Sequence, residues 1–169
     1  LEFSGKSKLL FLNEKEKKNI FSINAEYETS LTYAESVCLN PFTYSVQEQG
    51  CKVDTSKSYS GQGGPLAIAK LEQVMIPGDG AEVEFRLKLK NKGDGKVKTV
   101  TMKDTKLGGK DISCQFQKLQ ENKKQVKFTA KDQEVVVVCR GSVSSGSSYF
   151  TTLKIDFVYD YEFTKTEDL

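Results

Sequence analysis

The sequence predicts an all-β protein, an antiparallel immunoglobulin-like β-sandwich held by two disulfides. Three observations carry this expectation. Short apolar runs alternate with polar residues at period two through most of the chain, whereas no stretch holds a helical period. Turn-forming clusters rich in Gly, Asn, Asp and Pro recur between these runs. Four cysteines, Cys38, Cys51, Cys114 and Cys139, sit among the strand-like segments of a chain that has no histidine and no tryptophan.

The first segment, residues 1–18, reads as an N-terminal arm or edge strand, with an apolar patch at Leu9, Leu10, Phe11 and Leu12 followed by a run of charge. Residues 19–169 read as a single β-sandwich domain. From Phe21 the odd positions Phe21, Ile23, Ala25, Tyr27, Leu31 and Tyr33 are mostly apolar and the even ones mostly polar, which predicts one long half-buried strand. Cys38 follows it, and residues 38–65 read as a long loop stapled by Cys38 and Cys51. Leu66 to Ile76 reads as a strand. Pro77 to Gly80 is a turn before the run Ala81 to Lys90, in which Val83, Phe85, Leu87 and Leu89 face inward while Glu84, Arg86 and Lys88 face water. Gly93 and Gly95 then reverse the chain, an expectation resting on the positive φ that glycine tolerates. Further strands are expected over Lys96 to Met102, Asp111 to Leu119, Gln125 to Phe128 and Glu134 to Arg140. In the last of these, Val135 to Cys139 is apolar on both faces, as in a central strand. Thr151 to Phe163 is the longest and most aromatic alternation and should close the sandwich.

Length and composition narrow the function. At 169 residues and 18.9 kDa the chain can bury a real core. Its 25 basic and 23 acidic residues nearly cancel, to a net charge of +2, and only Arg86 and Arg140 are arginines. Nucleic-acid binding is therefore disfavoured, since it calls for basic residues massed on one face and for the planar arginine fork. A Lys- and Glu-rich coat over a disulfide-stapled core also suits a heat-adapted organism. The stretch begins at Leu1 with no basic leader and no 18-residue apolar run, so it contains no signal peptide or membrane span, a pattern that a mature secreted protein and an ectodomain cut from its anchor would share.

The cysteines read as structural. Neither spacing is that of a zinc ribbon, and no histidine can complete a metal tetrahedron. Four cysteines allow three connectivities. The simplest is Cys38–Cys51 with Cys114–Cys139, which points outside the cytoplasm, to an extracellular or cell-surface location. A catalytic thiol would want a neighbouring base or a C-x-x-C, and neither is present.

No other motif names a reaction. Glu82 with Glu84, and Asp156 with Asp160, could supply paired carboxylates, but along a strand they read as solvated faces. Asp79 and Asp94 lie in Gly-rich turns without calcium-loop spacing, and Gly61 to Pro65 lacks the Lys and Ser/Thr of a phosphate loop. The aromatic set around Tyr149, Tyr159 and Tyr161 could form a sugar platform, although period two assigns most of it to one face and to the core. No enzyme, metal or cofactor is expected.

The stretch Phe85 to Val97, Phe-Arg-Leu-Lys-Leu-Lys-Asn-Lys-Gly-Asp-Gly-Lys-Val, resembles the strand-and-turn signature of CARDB and related immunoglobulin-like domains of archaeal and bacterial surface proteins. The wider pattern of Val37-Cys38, Gln49-Gly-Cys51, Gly61 to Pro65, Cys114, Cys139-Arg140 and the final Leu-x-Ile-x-Phe-x-Tyr-x-Tyr strand also looks like membrane-anchored secreted proteins of small symbiotic archaea. These resemblances imply a stalk or adhesion module and supply no catalytic residues. The resulting expectation is a non-enzymatic extracellular structural or adhesion module of a prokaryotic, archaeal-type surface. It would self-associate or bind another surface protein, as a filament subunit that adds its N-terminal arm as a strand to a neighbour. The alternative is a carbohydrate- or partner-binding surface module.

Overall fold

In a computed structural model the described residues are 20–42, 50–61, 63–76, 80–117, 123–144 and 146–168. The arm 1–18, with Leu9, Leu10, Phe11 and Leu12, lies outside them. Ten strands form among the described residues: β1 (Ile20–Leu39), β2 (Ser56–Ser58), β3 (Leu66–Ile76), β4 (Glu82–Asn91), β5 (Lys96–Leu107), β6 (Lys110–Asp111), β7 (Ser113–Phe116), β8 (Gln125–Lys127), β9 (Glu134–Ser142) and β10 (Tyr149–Asp168). They build two antiparallel sheets. The first runs β1-β10-β5-β6, with β8 also on β5, and the second runs β2-β3-β4-β9-β7.

The all-β class and both disulfides follow the sequence expectation. The sheets share one core, in which Val83, Phe85, Leu87 and Leu89 of β4 meet Leu153, Ile155 and Phe157 of β10, all fully buried. Each such side chain contributes roughly 1.5–3 kcal/mol relative to exposure. Strand β9 is interior to its sheet, and its Val135, Val137 and Cys139 are buried while Val136 and Val138 are half-buried on the outer face.

Several expectations are corrected. The alternation from Phe21 buries its apolar face only from Leu31 onward; Phe21, Ile23 and Tyr27 are exposed. The reason is register. Strand β10 pairs with β5 only as far as Glu162, so Ile20 to Ala25 and Phe163 to Asp168 form a two-stranded ribbon. The loop 38–65 contains β2, which pairs with β3. The expected strand Asp111 to Leu119 is broken at Ile112, with β6 in one sheet and β7 in the other. Before that break, Gly108 and Gly109 both take positive φ (59° and 80°), the two-residue hairpin turn that joins β5 to β6.

Gly93 and Gly95 do not take positive φ. Their turn is an arch carrying the chain from β4 in one sheet to β5 in the other. Glycine is required there by close approach instead. A Cβ on Gly95 would lie 2.7 Å from the Tyr161 ring carbon Cζ, and one on Gly93 would lie 2.9 Å from Pro65 Cβ. The Asn91 side chain closes the arch, donating to the Gly95 carbonyl at 2.8 Å and accepting the Gly93 N–H at 3.0 Å.

Candidate functional site

The cysteines form two bridges, Cys38–Cys51 and Cys114–Cys139, so none remains as a thiol for attack or coordination. Cys38 lies at the end of β1 and ties it to the following loop. Its carbonyl accepts the Gln73 side-chain N–H at 2.6 Å, and the Cys51 N–H donates to Ser148 Oγ at 3.2 Å. Cys114 and Cys139 are directly opposite in the β7–β9 pair, with Cα atoms 4.0 Å apart, the short spacing of a non-hydrogen-bonded pair. This bridge anchors a four-residue edge strand to the middle of its sheet. Both bridges point to an oxidising, non-cytoplasmic environment. No helix among the described residues is long and apolar enough to cross a membrane.

The polar centre of the molecule lies on the outer face of the second sheet. Antiparallel pairing sets Glu84 of β4 opposite Arg140 of β9, which is opposite Ser113 of β7; the next row places Arg86, Val138 and Gln115 in line. Glu84 was expected to face water. It does point away from the core, yet it is only 5% exposed because both arginines of the chain cover it. Arg86 donates Nε–H and Nη2–H to Oε1, each at 2.7 Å. Arg140 donates Nε–H and Nη2–H to Oε2, at 2.8 and 2.7 Å. The hydrogen bonds from Arg140, then those from Arg86, hold the Glu84 carboxyl below its ordinary value of 4.5, against the opposing effect of burial.

These residues open onto a groove of about 410 Å³, lined by Ser113, Gln115, Gln117 and Val138 beside the Arg–Glu–Arg cluster. A second hollow, toward Lys110 and Ser144, shares Ser113 and Arg140 with it. The lining of the first groove contains no lysine, although 23 of the 25 basic residues of the chain are lysines.

The remaining candidates have structural partners. Glu82 is exposed and Glu84 is clamped, so they form no acid–base couple. Asp156 accepts from Thr32 Oγ1 at 2.7 Å and pairs with Lys154 at 2.9 Å; the lysine and then the threonine hold its carboxyl low. Asp79 and Gln62 lie outside the described residues. Phe157, Tyr159 and Tyr161 are core, which leaves no continuous sugar platform; Phe150 alone of that aromatic set is largely exposed. Among the described residues no group of three or more His, Cys, Asp or Glu could hold a metal ion.

Sequence reasoning missed the Glu84 cluster because it treated β4 in isolation. The available signal was the restriction of arginine to positions 86 and 140 in a lysine-rich chain, since a planar guanidinium holds a carboxylate with two N–H groups where an ammonium cannot. Compared with known proteins, the chain matches no family model, no curated protein and no solved structure.

Proposed function

We propose that the chain is a non-enzymatic extracellular structural or adhesion module of an archaeal-type cell surface, immunoglobulin-like in topology, that assembles by strand addition. The observation that carries this reading is the length of β1 at the margin of its sheet. This strand is 20 residues long and hydrogen-bonds to β10 on one side, while no strand occupies its other side among the described residues. At about 3.3 Å per residue, the span Ser22 to Glu35, which stops short of the Ser36 and Cys38 carbonyls that accept from Lys57 and Gln73, offers a template of roughly 45 Å. A row of backbone N–H and C=O groups of that length is a ready acceptor for another strand. Ile20 and Ile23 add apolar surface at its outer end. The donor strand in this reading is the segment around Leu9, Leu10, Phe11 and Leu12 of a neighbouring copy. The other edge strands are ill suited: β2, β6, β7 and β8 have three, two, four and three residues.

Two further observations support the reading. The disulfides fit an exported protein, and their sulfurs are not available for chemistry. The chain has no histidine, and one member of each candidate carboxylate pair, Glu84 and Asp156, is held in an ion pair. Light scattering on the intact chain and on a variant lacking residues 1–13 tests the assembly. Intact protein should form multimers that the deletion abolishes, while the circular dichroism of the sandwich is unchanged. Normal assembly of the truncated protein overturns the reading.

A further inference from the structure

We propose that the groove over β4, β9 and β7 is a binding site for the carboxylate of an acidic saccharide, with Arg86 and Arg140 as the recognition pair and Glu84 as the residue that positions them. The inference needs nothing from the assembly reading.

The geometry of the two guanidinium groups is the starting point. Each carries five N–H donors in a fixed plane, and each spends its Nε–H and one Nη2–H on Glu84. The two N–H groups at the far end of each guanidinium, one on each Nη, form a second fork of the shape that matches a carboxylate. Arg86 and Arg140 keep 49% and 63% of their side-chain surface open, so these ends reach solvent while Glu84 fixes the planes behind them. Arginines held in this way lose less side-chain freedom when a ligand binds.

Charge then selects the ligand. One buried carboxylate against two guanidinium groups leaves a net charge of +1, which a single carboxylate neutralises and a phosphate dianion exceeds. The absence of lysine from the lining points the same way, because a phosphate site gains from added point charges. The other lining groups are neutral, and Glu72, which lies opposite Arg86 on β3, is itself paired with Lys70. Ser113, Gln115 and Gln117 present a hydroxyl and amides that can both donate and accept, the complement of sugar hydroxyls, and Val138 lies between Arg86 and Gln115 as an apolar floor. Three strands about 4.8 Å apart and two rows about 7 Å apart give a footprint of roughly 10 by 7 Å, the scale of one or two sugar rings. The neutral groups favour a saccharide over an acidic peptide.

Titration of ¹⁵N-labelled protein with trigalacturonate tests the proposal, with neutral trigalactose, sodium sulfate and triglutamate as parallel arms. Trigalacturonate should shift the Arg86 and Arg140 Nε–H signals and the Gln115 and Gln117 amides, with weaker or absent shifts in the other arms. R86K/R140K keeps the net charge and should bind trigalacturonate about tenfold less tightly, the cost of losing forked recognition. E84Q raises the net charge by one and should nevertheless bind more weakly, because the arginine planes are released; an unchanged far-ultraviolet circular dichroism spectrum and unchanged backbone amide shifts away from the groove in either variant serve as the check that the sheet is intact. Absence of shifts overturns the proposal, as does equal binding of trigalactose, sulfate or triglutamate. Undiminished binding by R86K/R140K overturns the forked recognition, and tighter binding by E84Q overturns the positioning role.

Discussion

The hydroxyl of Tyr161, in the closing strand, accepts the backbone N–H of Gly95, in the β4–β5 arch, at 2.6 Å. The two residues are 66 positions apart, and their contact locks the point where the chain passes from one sheet to the other. It also explains the glycine. A Cβ at position 95 would meet the Glu162 carbonyl and the Tyr161 ring at once, and a backbone carbonyl cannot swing aside as a flexible side chain can.

Replacing Gly95 with alanine should therefore destabilise the protein by about 1–3 kcal/mol, the cost of overpacking a close-packed site. Tyr161→Phe should cost about 1–2 kcal/mol, since the buried Gly95 N–H loses its acceptor. Urea denaturation followed by circular dichroism measures both. A Gly95→Ala midpoint equal to that of the native protein would show that the arch relaxes freely.

Acid stability should depend on Glu84. Its carboxyl is held below its ordinary value in the folded protein, so the unfolded chain binds the proton more readily. The stabilisation is complete above about pH 5 and is lost progressively as pH falls through the ordinary value of 4.5 toward the lower folded one. Glu84→Gln should lower stability at pH 7 by about 1–3 kcal/mol and flatten the fall between pH 5 and 3. Asp156 is depressed by Lys154 and Thr32 from a lower ordinary value, 3.8, and acts in the same direction at lower pH, so Asp156→Asn is the companion variant. If Glu84→Gln leaves the slope of stability against pH unchanged, the clamp contributes nothing to acid resistance.

The disulfides should dominate resistance to denaturant. The bridges close loops of 13 and 25 residues, and the loop-entropy account assigns each about 3 kcal/mol. Cys114→Ala with Cys139→Ala should show this loss as a lower urea midpoint, and in addition faster amide exchange in β7, whose four residues would be held to β9 by hydrogen bonds alone. Ellman titration of unfolded, unreduced protein should find no reactive thiol.

Much of the fold was legible in the sequence because strand periodicity is a local property. The inward faces of β4 and β10 follow from alternation in Val83 to Leu89 and in Leu153 to Tyr161, and the interior position of β9 follows from its valine run. Readings failed where a partner decided the outcome. Phe21 and Ile23 have the same alternation as Leu31 and Tyr33, but only the latter pair is buried by the opposing sheet. Gly93 and Gly95 were legible as glycines of a turn, whereas the reason for them is a tyrosine from the far end of the chain.

The chain's own residues determined the all-β class and the absence of imidazole chemistry, since each depends on neighbouring positions or on which side chains exist at all, whereas the choice among three cysteine connectivities was made by the structure. Tertiary structure alone decided that Glu84 would be covered by Arg86 and Arg140. Arg140 reaches Glu84 from 56 residues away, through the register of β4 against β9, and no local pattern encodes the partner of a strand.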